Sequence, residues 1–274
     1  MDRAPREATG EGVVERVVTS TLRAGERVML IDAKDRRYLI TLSAGSSFHT
    51  HAGIVAHDEV IGATEGSRIR SNADRTFLVL RPTLSDIILK MPRGAQVIYP
   101  KDLGAILLQA DIAPGQHVLE AGVGSGALSM TLLRAGARIS AYEIREDFAA
   151  HARKNVVDHL GEDVAYDVQI RDVTLGIDER DLDRVLLDMP EPWAVVAHAE
   201  TALRPGGILL AYLPTINQTQ LLRETLSRHC FGLEETSEIL RRTWHIDGRS
   251  VRPDHRMVAH TGFLTTARRL ADRA

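Results

Sequence analysis

Apolar and polar positions follow two different rhythms along this chain. Residues 23–82 alternate with the two-residue period of strands. Arg27-Val28-Met29-Leu30-Ile31 and Arg37-Tyr38-Leu39-Ile40-Thr41-Leu42 flank a polar turn at Asp32-Ala33-Lys34-Asp35, and Arg68-Ile69-Arg70 and Thr76-Phe77-Leu78-Val79-Leu80 follow. Short runs punctuated by glycine, without a helical period, predict a small all-β, barrel-like domain. Residues 1–22 are charged and carry Gly10 and Gly12; they read as a mobile tail with a short helix over 13–22.

From residue 83 the rhythm changes. A helix is expected over 83–90, with Thr83 or Ser85 as its N-cap and Pro92 as its stop, and a second over 102–110. After Pro114-Gly115 the chain alternates. Apolar runs ending at Leu119, Tyr142, Ile170 and Leu187, and a run over 207–213, predict strands; segments 127–134, 147–160, 193–203 and 218–230 predict helices. Two last runs, 233–244 and 257–266, predict a closing hairpin. Such alternation implies an α/β fold of the Rossmann-like kind. Its seven-stranded sheet would be mostly parallel, with one antiparallel edge strand and helices on both faces.

Composition narrows the class. A chain of 274 residues, 44% hydrophobic and 26% charged, has the makeup of a soluble globular protein of one large or two modest domains. No apolar run approaches the roughly 20 residues of a membrane helix, and no signal peptide is visible. The single cysteine, Cys230, rules out an internal disulfide, reads as a small core residue and suits a reducing cytosol. The net charge of −3 provides no global basic field, so a nucleic-acid partner would need local patches.

The chemistry gathers at the ends of the predicted strands. After Val118-Leu119 come Glu120 and then Gly122, Gly124, Ser125, Gly126 and Ala127, leading into an apolar helix. Glycines permit a sharp turn and close approach of a ligand, and free N–H groups at a helix start favour polar or anionic groups. Alone, Gly122-x-Gly124-x-x-Ala127 also fits a dinucleotide fingerprint or a plain tight turn. The surroundings sharpen it. Glu143, Asp172 and Asp188 close the next three apolar runs, so four acids line the carboxyl edge where open α/β sheets bind ligands. Glu143 stands where an acid takes a ribose diol. Asp188-Met189-Pro190-Glu191-Pro192-Trp193 is a stiff turn presenting a carboxylate and an aromatic, or else a proline-rich helix cap over a buried tryptophan. His49, His51 and His57 match no standard zinc spacing, and histidines that satisfy backbone groups in a turn are the simpler account. If the segment is extended, His49 and His51 share a face.

The series of acids resembles the class I S-adenosylmethionine-dependent methyltransferases. Longer stretches resemble one family among them, the tRNA (adenine-58-N1)-methyltransferases. These are Phe48-His49-Thr50-His51-x-Gly53, Arg93-Gly94-x-Gln96-x-Ile98-Tyr99-Pro100-Lys101-Asp102, Glu120-x-Gly122-x-Gly124-Ser125-Gly126, Tyr142-Glu143, Arg171-Asp172-Val173, Leu187-Asp188-Met189-Pro190-x-Pro192-Trp193 and Val251-Arg252-Pro253. They run through almost the whole chain. The glycine motif is generic; the Tyr-Pro-Lys-Asp and Asp-x-Pro-x-Pro-Trp segments are specific. The resemblance implies a homotetramer acting on tRNA; a cytoplasmic protein with no metal and no membrane partner is expected from the residues above. The resemblance also implies S-adenosylmethionine held by the segment around Leu103, by Glu120, by Gly122 to Ala127, and by Glu143, Asp172 and Val173. Phe148 lies where the family makes a further adenosine-side contact. Asp188, near the cofactor, would face the target adenine, with Tyr99 and Tyr212 flanking the base.

That chemistry is consistent with the residues. Methyl transfer from a sulfonium is an in-line displacement in which positioning supplies much of the rate. Neutral adenine N1 carries a lone pair and needs no strong base. Charge appears on the ring as the methyl arrives, and a carboxylate at Asp188 accepting from the N6 amino group would stabilise it. Other readings share parts of the pattern. They are a nicotinamide-dependent dehydrogenase, a methyltransferase for a protein or small molecule, and a non-catalytic tRNA-binding subunit of the same fold.

Overall fold

A computed structural model of the chain describes residues 20–91 and 96–272. It divides into two compact units, Met1–Thr83 and Leu84–Ala274.

The first unit contains strands β1 (Arg27–Asp32), β2 (Arg37–Thr41), β3 (Ser47–Thr50) and β4 (Gly53–Ala56), a one-turn helix α1 (His57–Val60), and strands β5 (Arg68–Arg70) and β6 (Thr76–Leu80). Four strands form an antiparallel sheet in the order β2-β1-β6-β5, and β3 and β4 form a separate hairpin. Val28, Leu30, Phe77 and Val79 from the sheet join Leu22, Leu42, Val55 and Val60 in one buried core. The helix expected over 13–22 lies mostly outside the described residues; within them Thr21 instead bridges Thr64. The histidines do not share a strand face, because β3 ends at Thr50 and His51 enters the turn. His57 Nδ1 accepts the Ser43 N–H at 3.0 Å, His49 Nε2 meets Ser47 Oγ at 3.1 Å, and His51 contacts Arg36.

The second unit begins with helices α2 (Leu84–Lys90) and α3 (Pro100–Gln109). It continues as β7 (His117–Ala121), α4 (Ala127–Arg134), β8 (Arg138–Glu143), α5 (Glu146–Leu160), β9 (Tyr166–Ile170), β10 (Leu182–Leu187), α6 (Val196–Ala202), β11 (Leu203–Leu213) and α7 (Ile216–Leu226). It ends with β12 (Phe231–Glu238), β13 (Trp244–Asp247), β14 (Ser250–Pro253) and β15 (Phe263–Arg269). Short 3₁₀ turns precede α6, at Pro192–Val195, and follow β9, at Val173–Leu175.

The seven-stranded sheet has the order β12-β15-β11-β10-β7-β8-β9. Neighbours from β11 to β9 run parallel, and β15 runs antiparallel to β11 on one side and β12 on the other. The winding reverses between β7 and β10, which opens the crevice at their carboxyl ends where ligands bind in such sheets. Helix α4 is buried on nearly every side because it lies between α3, α5 and β8. Arg184, although 2% exposed in a central strand, is paired: its guanidinium donates to the carbonyls of Ala110, Asp111 and Asp183, so it caps the chain leaving α3.

The expected helix over 193–203 is corrected: a 3₁₀ turn leads into α6, which stops at Ala202, and Leu203 already belongs to β11. The last two expected strands shorten to β12 and β15, with the β13–β14 hairpin between them. Cys230 is only partly buried rather than a core residue.

Candidate active site

The glycine loop leaves β7 at a point where three strand ends are tied together. The Gly122 N–H donates to the Tyr142 carbonyl (3.1 Å) and the Asp188 N–H to the Ala121 carbonyl (2.9 Å). Gly122 has φ +85°, and a Cβ built on it would lie 2.0 Å from the Asp188 carbonyl oxygen, so no side chain fits there. Gly126, at φ +80°, caps the start of α4 against Ala152 of α5. The Asn155 amide of α5 donates to the Ser125 carbonyl (3.0 Å) and pins the loop from below.

Around this loop stand carboxylates short of partners. Glu120 is fully buried, and neither of its oxygens nor the Ser125 hydroxyl has a hydrogen-bond partner among the described residues. Burial pushes the Glu120 carboxyl up to about 8; the N–H and hydroxyl of Ser129 lie close enough to lower it without forming a well-aligned hydrogen bond, and the charges of Asp188 and Glu143 add to the rise. The Ser129 hydroxyl is itself engaged with the Tyr166 hydroxyl at 2.9 Å. Glu143, the last residue of β8, accepts the Arg145 N–H (3.0 Å), and its other oxygen faces the Gly124 N–H at a long 3.4 Å. Asp188 keeps part of its surface open to the crevice, yet the surrounding protein atoms, and then Glu143, push its carboxyl up to about 7. Two carboxyls whose proton affinity is raised by burial and by neighbouring acids, Glu120 and Asp188, form with Glu143 a pocket suited to a cationic group.

Asp172 follows β9. Its Oδ1 accepts both the N–H (2.9 Å) and the hydroxyl (2.7 Å) of Thr174, which lowers its pKa and caps the turn that begins at Val173. Phe148, in the first turns of α5, lies under the Arg145 guanidinium, 3.7 Å from its ring centre. Sequence reasoning missed the brace behind this edge: Tyr142 donates to Glu179, while Arg171 stacks on the Tyr142 ring at 4.9 Å and pairs with Asp178.

On the other side of the crevice, Tyr99 precedes α3, and its carbonyl accepts the N–H groups of Asp102 (2.9 Å) and Leu103 (3.0 Å). Leu103 is buried on α3, which packs against α4 and β15. Tyr212, near the end of β11, is pushed up to about 12 by burial; the Thr261 hydroxyl beside it acts the other way, and nearby Asp102, Asp188 and Tyr99 add to the rise. Tyr99, Tyr212 and Asp188 therefore share one neighbourhood. Trp193 is partly buried in its 3₁₀ turn, and Gln218 holds that turn through the Pro190 carbonyl (3.0 Å). Also unforeseen is a buried cluster of Lys101, Asp102 and Thr261 beside Tyr212.

A Rossmann-like sheet with this glycine loop and acid-lined edge defines the class of S-adenosylmethionine-dependent methyltransferases. Residues 76–252 match the family model described as the tRNA methyltransferase complex GCD14 subunit, and residues 21–69 match that of the TrmI-like N-terminal region. The chain belongs to this family, the tRNA (adenine-58-N1)-methyltransferases. It is 36% identical over 268 residues to the tRNA (adenine(57)-N(1)/adenine(58)-N(1))-methyltransferase TrmI of Methanocaldococcus jannaschii, covering 88% of this chain and 94% of the relative. Two solved structures are similar. A SAM-dependent O-methyltransferase from Thermotoga maritima has a TM-score of 0.89 at 35% identity, covering 93% of this chain and 97% of that one. The tRNA (m1A58) methyltransferase TrmI from Aquifex aeolicus has a TM-score of 0.82 at 31% identity, covering 92% and 100%.

Proposed function

We propose that this chain transfers a methyl group from S-adenosylmethionine to N1 of adenine 58 in tRNA. What supports the reading is that Tyr212 lies within electrostatic reach of both Asp188 and Tyr99, beside a glycine loop edged with acids. The orphaned, buried carboxyl of Glu120 is the observation that fits the cofactor, because a ligand ammonium would supply its missing partner. Glu120 and the loop from Gly122 through Gly124, Ser125 and Gly126 to Ala127 would hold the methionine end. Glu143 would take the ribose hydroxyls. Asp172 and Val173 would bound the adenine, with Leu103 and Phe148 as further walls. When bound, the cofactor supplies an electrophilic methyl group on a sulfonium.

The remaining work falls to the protein's own residues. A base stacked inside folded tRNA must turn out to be reached, and aromatic faces hold such a base. Tyr99 and Tyr212 would flank it. Asp188 would accept from its N6 amino group and fix its edge. No residue has to remove a proton from N1. The carboxylate would stabilise the positive charge that spreads over the ring.

Each unit carries exposed arginines suited to phosphates, Arg36, Arg37, Arg68 and Arg70 in one and Arg241, Arg242, Arg249 and Arg256 in the other. The exposed apolar side chains of the β13–β14 hairpin support association with further copies of the chain, as the homotetramer reading needs. A cytoplasmic setting goes with a tRNA substrate, and among the described residues no helix is long and apolar enough to cross a membrane. Incubation with labelled S-adenosylmethionine and bulk unmodified tRNA should yield labelled 1-methyladenosine by nucleoside analysis, and mapping of labelled fragments should place it at position 58. Label in any other nucleoside, or in none, overturns the reading.

A further inference from the structure

The cluster behind Tyr212 is unusual in its completeness. The Lys101 side chain is 4% exposed and Asp102 is fully buried. The ammonium donates to Asp102 Oδ1 (2.7 Å), the Ile239 carbonyl (2.6 Å) and Thr261 Oγ1 (2.6 Å), and the Thr261 hydroxyl donates to Asp102 Oδ2 (2.7 Å). All three ammonium protons are used, and each carboxylate oxygen has a partner. A fully paired buried network adopts one arrangement only. Such an ion pair adds little net stability over apolar side chains of the same volume, so stability alone does not explain it.

Its two anchors both lead to aromatic rings. Asp102 sits in the first turn of α3, where its own N–H and that of Leu103 bind the Tyr99 carbonyl. Fixing Asp102 fixes the backbone that carries Tyr99. Thr261 is followed by Gly262, whose α-carbon lies against the Tyr212 ring: a Cβ there would come within 2.5 Å of Tyr212 Cζ. Fixing Thr261 fixes the surface on which Tyr212 rests. The Ile239 carbonyl ties the same ammonium to the chain leaving β12.

We propose that Lys101, Asp102 and Thr261 are positioning residues, a buried clasp that holds Tyr99 and Tyr212 in register with Asp188 so that an extruded RNA base meets both rings at once. The inference rests on the tRNA-methylating reading above. None of the clasp's hydrogen bonds goes to the glycine loop, and the Thr261 hydroxyl lies beside the Tyr212 side chain itself. The clasp acts through the spacing of the two rings, and a small error in such spacing is felt in the methyl-transfer step more than in cofactor binding.

Thr261→Val removes the hydroxyl at constant shape, Thr261→Ser keeps it, and Gly262→Ala leaves the charges intact but pushes the Tyr212 ring. Each folded variant is compared with the wild type by single-turnover methylation at saturating tRNA and S-adenosylmethionine, and by calorimetric cofactor titration. Thr261→Val and Gly262→Ala should slow transfer by about ten-fold or more while the cofactor Kd stays within about two-fold, and Thr261→Ser should recover most of the rate. A Thr261→Val protein with more than half the wild-type rate, or one that loses rate and cofactor affinity together, overturns the clasp. If Thr261→Val does not fold, Gly262→Ala decides: an unaffected rate refutes the proposal. A wild type that methylates no tRNA overturns the parent reading along with this one, whereas an active wild type with unaffected variants overturns the clasp alone.

Discussion

At the scale of single residues, two carboxyls carry the sharpest expectations. Asp188→Ala should leave the fold intact and slow single-turnover methylation by roughly 100- to 1,000-fold, the loss expected from removing one preorganised transition-state partner. Asp188→Asn should also be poor, because a neutral amide stabilises a cationic ring less. Retention of more than half the wild-type rate by Asp188→Ala would make it a turn residue only. Glu120 yields a pH prediction. Its carboxyl is raised to about 8, so in the free protein it holds its proton through neutral pH. An ammonium partner favours the ionised form. Cofactor binding should therefore release a proton near neutrality, and affinity should rise between about pH 6 and pH 8. Calorimetry in buffers of different ionisation enthalpy reads this directly, and a buffer-independent enthalpy would remove Glu120 from the site. The same shift sets the sign for stability. A group whose folded pKa lies above its unfolded one binds more protons when folded, so the free protein should lose stability as pH rises from the ordinary carboxyl range towards about 8. Glu120→Gln should flatten that slope.

At the scale of elements, the glycine loop can be tested against a built-in control. Gly122 and Gly115 have nearly the same backbone, φ +85° and +82°, but a Cβ at Gly115 meets nothing within 4 Å whereas one at Gly122 strikes the Asp188 carbonyl at 2.0 Å. Gly115→Ala should cost only left-handed backbone strain, on the order of 1–3 kcal/mol. Gly122→Ala should cost clearly more in denaturant melts and abolish cofactor binding, because the end of β10 must move. Equal losses in the two variants would mean that the loop is not wedged as described. The inner strands of the parallel sheet, β7, β8, β10 and β11, were legible because both of their faces are largely buried and the chain shows it as apolar runs, unlike the edge strand β9. Glu120, Glu143 and Asp188 were legible for the same reason, each being the first charge after such a run, whereas Asp172 follows Arg171. Other features were hidden. The β13–β14 hairpin is exposed on both faces, so no buried face imposes a two-residue rhythm. The strand expected from Gly207 starts earlier, at Leu203, and runs through Pro205-Gly206, and Gly207 packs against the carbonyl oxygens of Arg204 and Asp183. The bond between Lys101 and Thr261 joins residues 160 apart, and no local pattern announces it.

At the scale of the whole molecule, a net charge of −3 has to be reconciled with a polyanionic substrate. Copies that bring their arginine clusters together would resolve the conflict, and the exposed hairpin offers the means. Ile246 and Val251 stand directly opposite each other in its register, 73% and 60% exposed, and Trp244 lies two residues from Ile246 on the same face. Side chains of this size left in water form a patch of the kind that marks an interface. Burying them against another copy would contribute at roughly 25 cal/mol per Å². Ile246→Asp with Val251→Asp would place charges in that interface without touching the sheet. Light scattering should then show a smaller species than the wild-type assembly, with cofactor affinity unchanged because the glycine loop lies elsewhere in the chain. The variant should also bind tRNA more weakly and with a shallower dependence on salt, since every phosphate that is no longer neutralised takes about 0.9 off the slope of log K against log salt on a duplex. If the double variant keeps the wild-type mass and salt slope, the hairpin is not the interface, and the arginines must gather on a single copy.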